Sequence, residues 1–319
     1  MNEFRSGFAP LIKEYLDFRN NMGFSNDHEK HLKRFDAYCA EHYPDDTTLT
    51  KANVRGWYAD EILNKRKCLQ NKAAAIRLFA AYLGRNAYVL PANCIPKTPE
   101  FTPYILTEDE LVNFYNAVDA FHYDKDPFLS ETMKVLIRIL YVCGLRPNEG
   151  RAIRMKDIDF VTGEILITKT KRNKERIVVA SDDMLALLKQ YRQKRELFAH
   201  DDECFFIHGD ARPIESYQLR DYIKRCWKNA NPEIDETDLP NLRPYDLRHR
   251  FASSVLQKWI DDGKNLYAML PYLRAYMGHV RFEDTLYYIH ILPERLVSSQ
   301  GVHWDVIDGV GLEDGIWEH

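Results

Sequence analysis

Prolines divide this sequence of 319 residues into two parts. Pro91, Pro96, Pro99 and Pro103 all lie within the segment VLPANCIPKTPEFTPYIL, and proline neither donates a backbone hydrogen bond nor fits a helix interior. We therefore predict an extended connector over residues 91–105, with a folded domain on each side. With 45% hydrophobic and 29% charged residues, both domains can bury a core.

The segment before the connector carries helix signals throughout. Its start and stop residues place four helices: from Pro10 to near Gly23, over residues 26–42, after Thr50, and up to Gly84. We predict a small helical domain over residues 1–90.

The segment after the connector is also helical, apart from one stretch. Thr107 and Glu110 have the spacing of a capping box, and ETMKVLIRILYVCG has the apolar periodicity of a buried helix that ends at Gly144. GEILITKTK and KERIVVA instead alternate as the strands of a hairpin do. We predict a mainly α fold with one small β-hairpin, a second domain over residues 106–292, and a tail over residues 293–319.

Composition argues against several protein classes. The six cysteines lie far apart with no CxxC pair, which favours reduced thiols over a zinc module or a disulfide framework. The N-terminus lacks the apolar run of a signal peptide, and no apolar stretch is long enough to span a bilayer, so we expect a cytoplasmic protein. The formal net charge is -4, and residues 295–319 carry one arginine and five acids.

Four segments place polar side chains near predicted helix starts or in the hairpin. Arg146 follows a helix stop and precedes Pro147, so its guanidinium is displayed where an anion can bind. Lys169 and Lys171 are two residues apart and share one face of a strand. Arg248 lies about one turn after Tyr245 at the start of an apolar helix, and HVRFEDTLYYIH holds a tyrosine pair. Each segment alone has a structural explanation: an ion pair, an exposed hairpin, or aromatic packing.

Together these segments resemble the tyrosine recombinase (phage integrase) family. The family pattern is a GLR-x-x-E box, a hairpin lysine, an H-x-x-R-H box, and a GH followed nine residues later by a tyrosine. The matching stretches are GLRPNE with Arg146 and Glu149, KTKRNKERIV, YDLRHRF with Arg248 and His249, MGH with His279, and TLYYIH with Tyr288. The match covers roughly residues 106–292, and the N-terminal unit is similar to the family's helical core-DNA-binding (SAM-like) domain.

The resemblance implies that Tyr288 attacks a DNA phosphodiester and forms a 3′-phosphotyrosyl link, with Tyr287 as a packing neighbour. A phenol has a pKa of about 10, so the attack needs help with charge and with protons. Arg146 and Arg248 would hold the phosphate oxygens, and His279 would add a hydrogen bond. No metal or cofactor is implied.

Two features of the expected site stay open. The hairpin lysine that would protonate the leaving 5′-oxygen is Lys171 or Lys169. Tyr245 stands where the family usually has the first histidine of its H-x-x-R box, and a phenol can donate to phosphate but cannot act as an imidazole base.

The implied partner is double-stranded DNA at recombination sites, bound by four protomers, together with accessory DNA-bending proteins or a partner recombinase. The tail would pack on its own domain or on a neighbouring protomer. Either a solvated surface or contact with phosphate explains the basic segments, and the residues expected to contact DNA are Lys65, Arg66, Lys67, Lys72, Arg172, Lys174, Lys224, Arg225 and Lys228.

Two alternatives share the fold expected from the resemblance. A DNA-binding protein with a decayed site would need no complete set of catalytic residues, whereas this sequence has a complete Arg, Lys, Arg, His, Tyr set. A relaxing topoisomerase would use the same phosphotyrosine chemistry as a monomer, whereas the separate helical domain and the apolar residues of the tail favour a site-specific recombinase. Integration or excision of a mobile element, inversion of a segment and resolution of circular dimers all use this chemistry, and of these we expect movement of a mobile element.

Overall fold

The structure is a computed structural model that describes residues 4–24, 26–64, 68–96, 103–168, 175–199 and 203–290. The chain forms two compact units, residues 1–101 and 102–319. Over the described residues, the first unit is helical and the second is mostly helical with one antiparallel two-stranded sheet. The predicted mainly α fold with a small hairpin is confirmed. Within these residues, no helix is long and apolar enough to cross a membrane.

The first unit contains the helices that the sequence predicts. Their bounds are α1 (Ala9–Asn21), α2 (Glu29–His42), α3 (Lys51–Leu63) and α4 (Leu69–Leu83), with short 3-10 turns at Asn26–His28 and Ala92–Cys94. Thr50 caps α3 by accepting a hydrogen bond from the backbone N–H of Asn53. The apolar faces of the helices meet around Phe35, Trp57 and Phe79, which are all buried.

Lys72 departs from its predicted role in DNA contact. Its side chain, on α4, is only 2% exposed, and its ammonium pairs with the carboxylate of Glu61, which is fully buried on α3. A charge in the core is tolerated only with such a partner, since an unpaired buried ion is strongly destabilising. Lys72 therefore holds α3 against α4 and does not reach a phosphate.

The second unit holds the remaining elements. They are α5 (Glu108–Ala120), α6 (Pro127–Val142), α7 (Pro147–Arg151), a 3-10 turn (Met155–Asp157), β1 (Glu164–Ile167), β2 (Arg176–Val179), α8 (Asp182–Arg195), α9 (Ser216–Ala230), α10 (Pro244–Asp261), α11 (Leu266–Met277) and α12 (Glu283–His290). The capping box predicted at Thr107 and Glu110 is present and begins α5.

Two apolar clusters fix the ends of these elements near one another. The larger cluster surrounds α6, whose apolar residues are buried on most sides. A smaller one joins α10, α11 and α12 through Leu256, Leu270, Met277 and Tyr288. Arg248 near the N-terminus of α10 donates to the carbonyls of Gly144 and Met277, so the C-terminus of α6, the N-terminus of α10 and the C-terminus of α11 converge.

The hairpin is antiparallel, with pairs that run from Glu164 opposite Val179 to Ile167 opposite Arg176. Ile165 and Val178 pair on the buried face of the sheet. Residues 169–174, between the two strands, lie outside the described residues.

Candidate active site

Two glycines, one in the GLR box and one in the GH box, position the residues that follow them in the site. Gly144 ends α6 with a φ of 57°, and a Cβ there would collide with the ring of Phe251. Gly278 ends α11 with a φ of 65°. L-residues with side chains rarely adopt this left-handed conformation. The two turns direct Arg146 and His279 toward the same point.

Arg146 and Glu149 act as a unit at the start of α7. The backbone N–H of Arg146 donates to Glu149 Oε2 at 3.0 Å, and its guanidinium donates to Glu149 Oε1 at 2.7 Å. Another guanidinium nitrogen donates to the carbonyl of Gly278 at 3.1 Å. The Arg146 side chain is 24% exposed and the Glu149 side chain only 2%, so the arginine faces the site mouth and the carboxylate supports it from below.

Arg248, on the first turns of α10, is completely buried. Its guanidinium donates to the carbonyls of Gly144 at 2.7 Å and of Met277 at 2.6 Å. These bonds tie α10 to the ends of α6 and α11. Among the described residues, Nε of Arg248 is buried without a hydrogen-bond partner.

His279 is a neutral imidazole in this arrangement. Its Nε2 lies 3.0 Å from a guanidinium nitrogen of Arg248, and its Nδ1 lies 2.8 Å from Oγ1 of Thr285. A guanidinium only donates, so Nε2 accepts and Nδ1 carries the proton. Burial, followed by the charges of Arg248 and Arg146, lowers the pKa of His279 to about 3. In this tautomer Nε2 carries no proton, so His279 can donate from Nε2 to a phosphate only after a proton moves to that nitrogen. The sequence does not predict this requirement.

Tyr288 lies on α12 against the two groups just described. It is 2% exposed, and its ring stacks on that of His279 at 5.8 Å with an interplanar angle of 11°. Burial raises the pKa of Tyr288 to about 12, although the charge of Arg248 opposes the rise. The phenol is therefore protonated at neutral pH, and its proton must leave before or during attack. Tyr287 is half-buried and meets Tyr288 edge-on at 6.1 Å.

Tyr245 and His249 complete the cluster from one face of α10. Their rings lie 5.1 Å apart, and the His249 ring is 5.4 Å from that of Tyr288. Tyr245 is 37% exposed, and its hydroxyl interacts with Arg146. Burial lowers the pKa of His249 to about 4. The structure thus brings these two residues together with Arg146, Glu149, Arg248, His279 and Tyr288.

Arg176 is the neighbour of this site that the sequence analysis missed. It begins β2 and donates to both carboxylate oxygens of Glu149, at 3.0 and 2.7 Å. It shares a strand face with Val178, which is buried. A charged side chain on the core-facing side of an apolar strand indicates a buried partner of opposite charge. This pattern is the sequence signal that could have identified Arg176.

The remaining predicted residues divide into two groups. Outside the described residues lie Lys65, Arg66, Lys67, Lys169, Lys171, Arg172 and Lys174. Lys224, Arg225 and Lys228 are exposed on α9, where Lys224 and Lys228 each pair with Glu236 at 2.9 Å. Within the part of the chain that the structure describes, no group of three His, Cys, Asp or Glu side chains could hold a metal ion.

The two buried neutral histidines make stability depend on pH. The pKa of His279 and that of His249 are lowered in the folded protein, whereas the unfolded chain takes up these protons below about pH 6.5. Each should remove up to about 1.4 kcal/mol of unfolding free energy per pH unit as the pH falls from about 6.5 toward 4. Urea unfolding at pH 7.5, 5.5 and 4.5 measures this loss.

His249→Gln should reduce that pH slope, because it removes one of the two titrating groups. The matched control is His122→Gln in the same unit, because His122 is exposed and the same substitution is then made away from the two buried imidazoles. An equal slope in wild type and His249→Gln would contradict this account.

Comparison with known proteins agrees with this geometry. Residues 105–295 match the model of the phage integrase family. A protein of Sinorhizobium fredii that carries the name integrase/recombinase y4rE is 27% identical over 298 residues, which is 91% of this chain and 93% of that protein.

Two solved structures share the fold. One is the XerH site-specific recombinase bound to a palindromic difH substrate, with a TM-score of 0.64 and 20% identity, covering 86% of this chain and 78% of that one. The other is the Tn1549 transposon integrase in complex with a circular intermediate DNA, with a TM-score of 0.66 and 16% identity, covering 89% and 95%. Because the family model spans more than half of the sequence, the chain belongs to the phage integrase family, the tyrosine recombinases.

Proposed function

We propose that this protein is a site-specific recombinase that cuts and rejoins DNA through a 3′-phosphotyrosyl intermediate. The observation that carries the proposal is the meeting of Arg146, Arg248 and Tyr288 where three helix ends converge. Guanidinium groups are the donors that fit phosphate oxygens.

The two arginines supply the charge stabilisation that phosphoryl transfer requires. Backbone carbonyls and Glu149 already hold both guanidinium groups in place, so little reorganisation is needed when charge develops on the phosphate. Preorganised donors of this kind stabilise a transition state more than mobile ones do. Arg146, which is partly exposed, would meet the phosphate from the mouth of the site.

In the proposed step, the Tyr288 oxygen forms a bond to phosphorus, its proton passes to solvent water, and the bond from phosphorus to the 5′-oxygen breaks. Lys171 or Lys169 donates a proton to the leaving 5′-oxygen, because an alkoxide is a poor leaving group. Attack of a 5′-hydroxyl from a partner duplex reverses the step, so the energy of the phosphodiester bond is conserved.

The proposed substrate is double-stranded DNA with paired recombination sites. The XerH structure holds a palindromic difH substrate and the Tn1549 integrase structure a circular intermediate DNA, and exchange between two duplexes calls for four protomers. We propose movement of a mobile element as the biological role, which the transposon integrase relative supports. Exposed Lys224, Arg225 and Lys228 are proposed phosphate contacts, and the acidic tail is a proposed contact between protomers. We further propose that accessory DNA-bending proteins or a partner recombinase assist the reaction, and that it takes place on the nucleoid DNA in the cytoplasm.

Covalent trapping tests the proposal. The protein is incubated in EDTA with a nicked suicide duplex that carries its site, and a denaturing gel should reveal a protein–DNA adduct whose released strand has a 5′-hydroxyl that a kinase can label. A bound duplex without adduct would instead support a DNA-binding module. Relaxation of supercoiled DNA that lacks any site would support a topoisomerase.

A further inference from the structure

Glu149 is an acidic residue directly beneath the two arginines that are proposed to bind a DNA phosphate. Its negative charge would repel that phosphate. Its carboxylate contacts Arg146 and Arg176 and lies 4.0 Å from Arg248. Although burial opposes ionisation, hydrogen bonds from Arg176 and Arg146 lower the pKa of Glu149 to about 2. A negative charge beneath the two phosphate-binding arginines repels the substrate and competes with it for their donors.

Arg176 forms an ion pair with Glu149 that neutralises this charge. Its two terminal nitrogens form a fork on the two oxygens of Glu149, and its Nε donates to the carbonyl of Tyr276 at 2.8 Å. A Cβ on Gly278 would lie 3.2 Å from Cδ of Arg176, so the glycine leaves room for the side chain. The fork faces inward, and the side chain is only 9% exposed.

The contacts of Arg176 separate its role from those of Arg146 and Arg248. All three of its guanidinium nitrogens bind protein oxygens, whereas the Arg146 side chain is 24% exposed at the mouth of the site. Arg176 is thus a positioning residue rather than a phosphate ligand. It also links the base of the hairpin to the end of α11.

We propose that Arg176 is the counter-charge of Glu149, which lets Glu149 cap α7 and orient Arg146 without opposing the DNA phosphate. The inference rests on the proposed function and adds a residue to it. Glu149 accepts hydrogen bonds that hold Arg146 in place, and Arg176 offsets the repulsion between the Glu149 carboxylate and the phosphate. Without Arg176, the carboxylate would hold Arg146 more tightly and lower the positive charge available to the transition state.

Single-turnover cleavage of the suicide duplex at saturating protein tests the proposal. Arg176→Gln should slow cleavage by roughly 10²-fold. Adding Glu149→Gln to that variant should restore the rate to within about tenfold of wild type, because glutamine can still accept the N–H of Arg146 but carries no charge. A purely structural defect would instead worsen when the second partner is also changed. Arg176→Lys loses the fork but keeps the charge, which is the property that the proposal assigns to Arg176, and should retain most of the rate.

The matched control is Arg154→Gln. Arg154 makes a similar fork to Asp157, at 3.0 and 3.1 Å, outside the catalytic cluster, so cleavage should be unaffected. A wild-type rate in Arg176→Gln, or a double variant no faster than Arg176→Gln, overturns the proposal. If Arg176→Gln does not fold, a double variant slower than Arg176→Lys by 10²-fold or so overturns it. Absence of cleavage by the wild type would instead overturn the recombinase function itself.

Discussion

Tyr288→Phe is expected to abolish the covalent DNA adduct, with a loss of cleavage of at least ~10⁴-fold. The substitution removes only the hydroxyl, and the phenylalanine ring can keep the stacking on His279 and the packing of α12. The variant should therefore fold and bind duplex DNA as the wild type does. A gel-shift titration and the denaturing gel, run on the same samples, separate binding from chemistry.

Tyr287→Phe is the matched control for that experiment. Tyr287 precedes Tyr288 on the same helix and meets its ring at 6.1 Å, yet it is half-buried and its ring lies 6.3 Å from that of His249. We expect Tyr287→Phe to form the adduct within about tenfold of the wild-type rate. An adduct that survives in Tyr288→Phe and disappears in Tyr287→Phe would assign the nucleophile to the other tyrosine.

Much of the fold follows from local signals in the sequence. Thr50 and Thr107 indicate where α3 and α5 begin, because a side-chain oxygen at the N-cap accepts a hydrogen bond from an N–H that the helix leaves unpaired. Gly144 and Gly278 mark the ends of α6 and α11 because only glycine adopts positive φ there at low cost. These effects act over a few residues, so a single sequence reports them.

Partners that are distant in sequence cannot be found in this way. Lys72 belongs to a basic segment, yet Glu61 on the neighbouring helix holds it in the core. The fork between Arg176 and Glu149 joins residues 27 positions apart. The tautomer of His279 depends on Arg248 and Thr285, which lie on different helices. Each of these contacts exists only after the chain has folded, and family resemblance names positions without stating their partners.

Lysine substitutions of the two phosphate-binding arginines should slow cleavage to a similar extent but lower the unfolding free energy to different extents. Arg248→Lys keeps a charge but cannot bond the carbonyls of Gly144 and Met277 together with His279. Cleavage should fall by about 10²- to 10³-fold. The unfolding free energy should fall by about 1–3 kcal/mol, because buried carbonyls lose their donors.

Arg146→Lys should lower cleavage by a similar factor of about 10²- to 10³-fold and leave stability within about 0.5 kcal/mol of wild type. Its side chain is 24% exposed, and a lysine there can still pair with Glu149. Urea unfolding and single-turnover cleavage of both variants provide the comparison. Equal stability losses would mean that Arg248 does not join α6, α10 and α11 through its backbone contacts. Unchanged cleavage in Arg146→Lys would mean that a single charge suffices at the mouth of the site, so its planar fork would have no role in holding the phosphate.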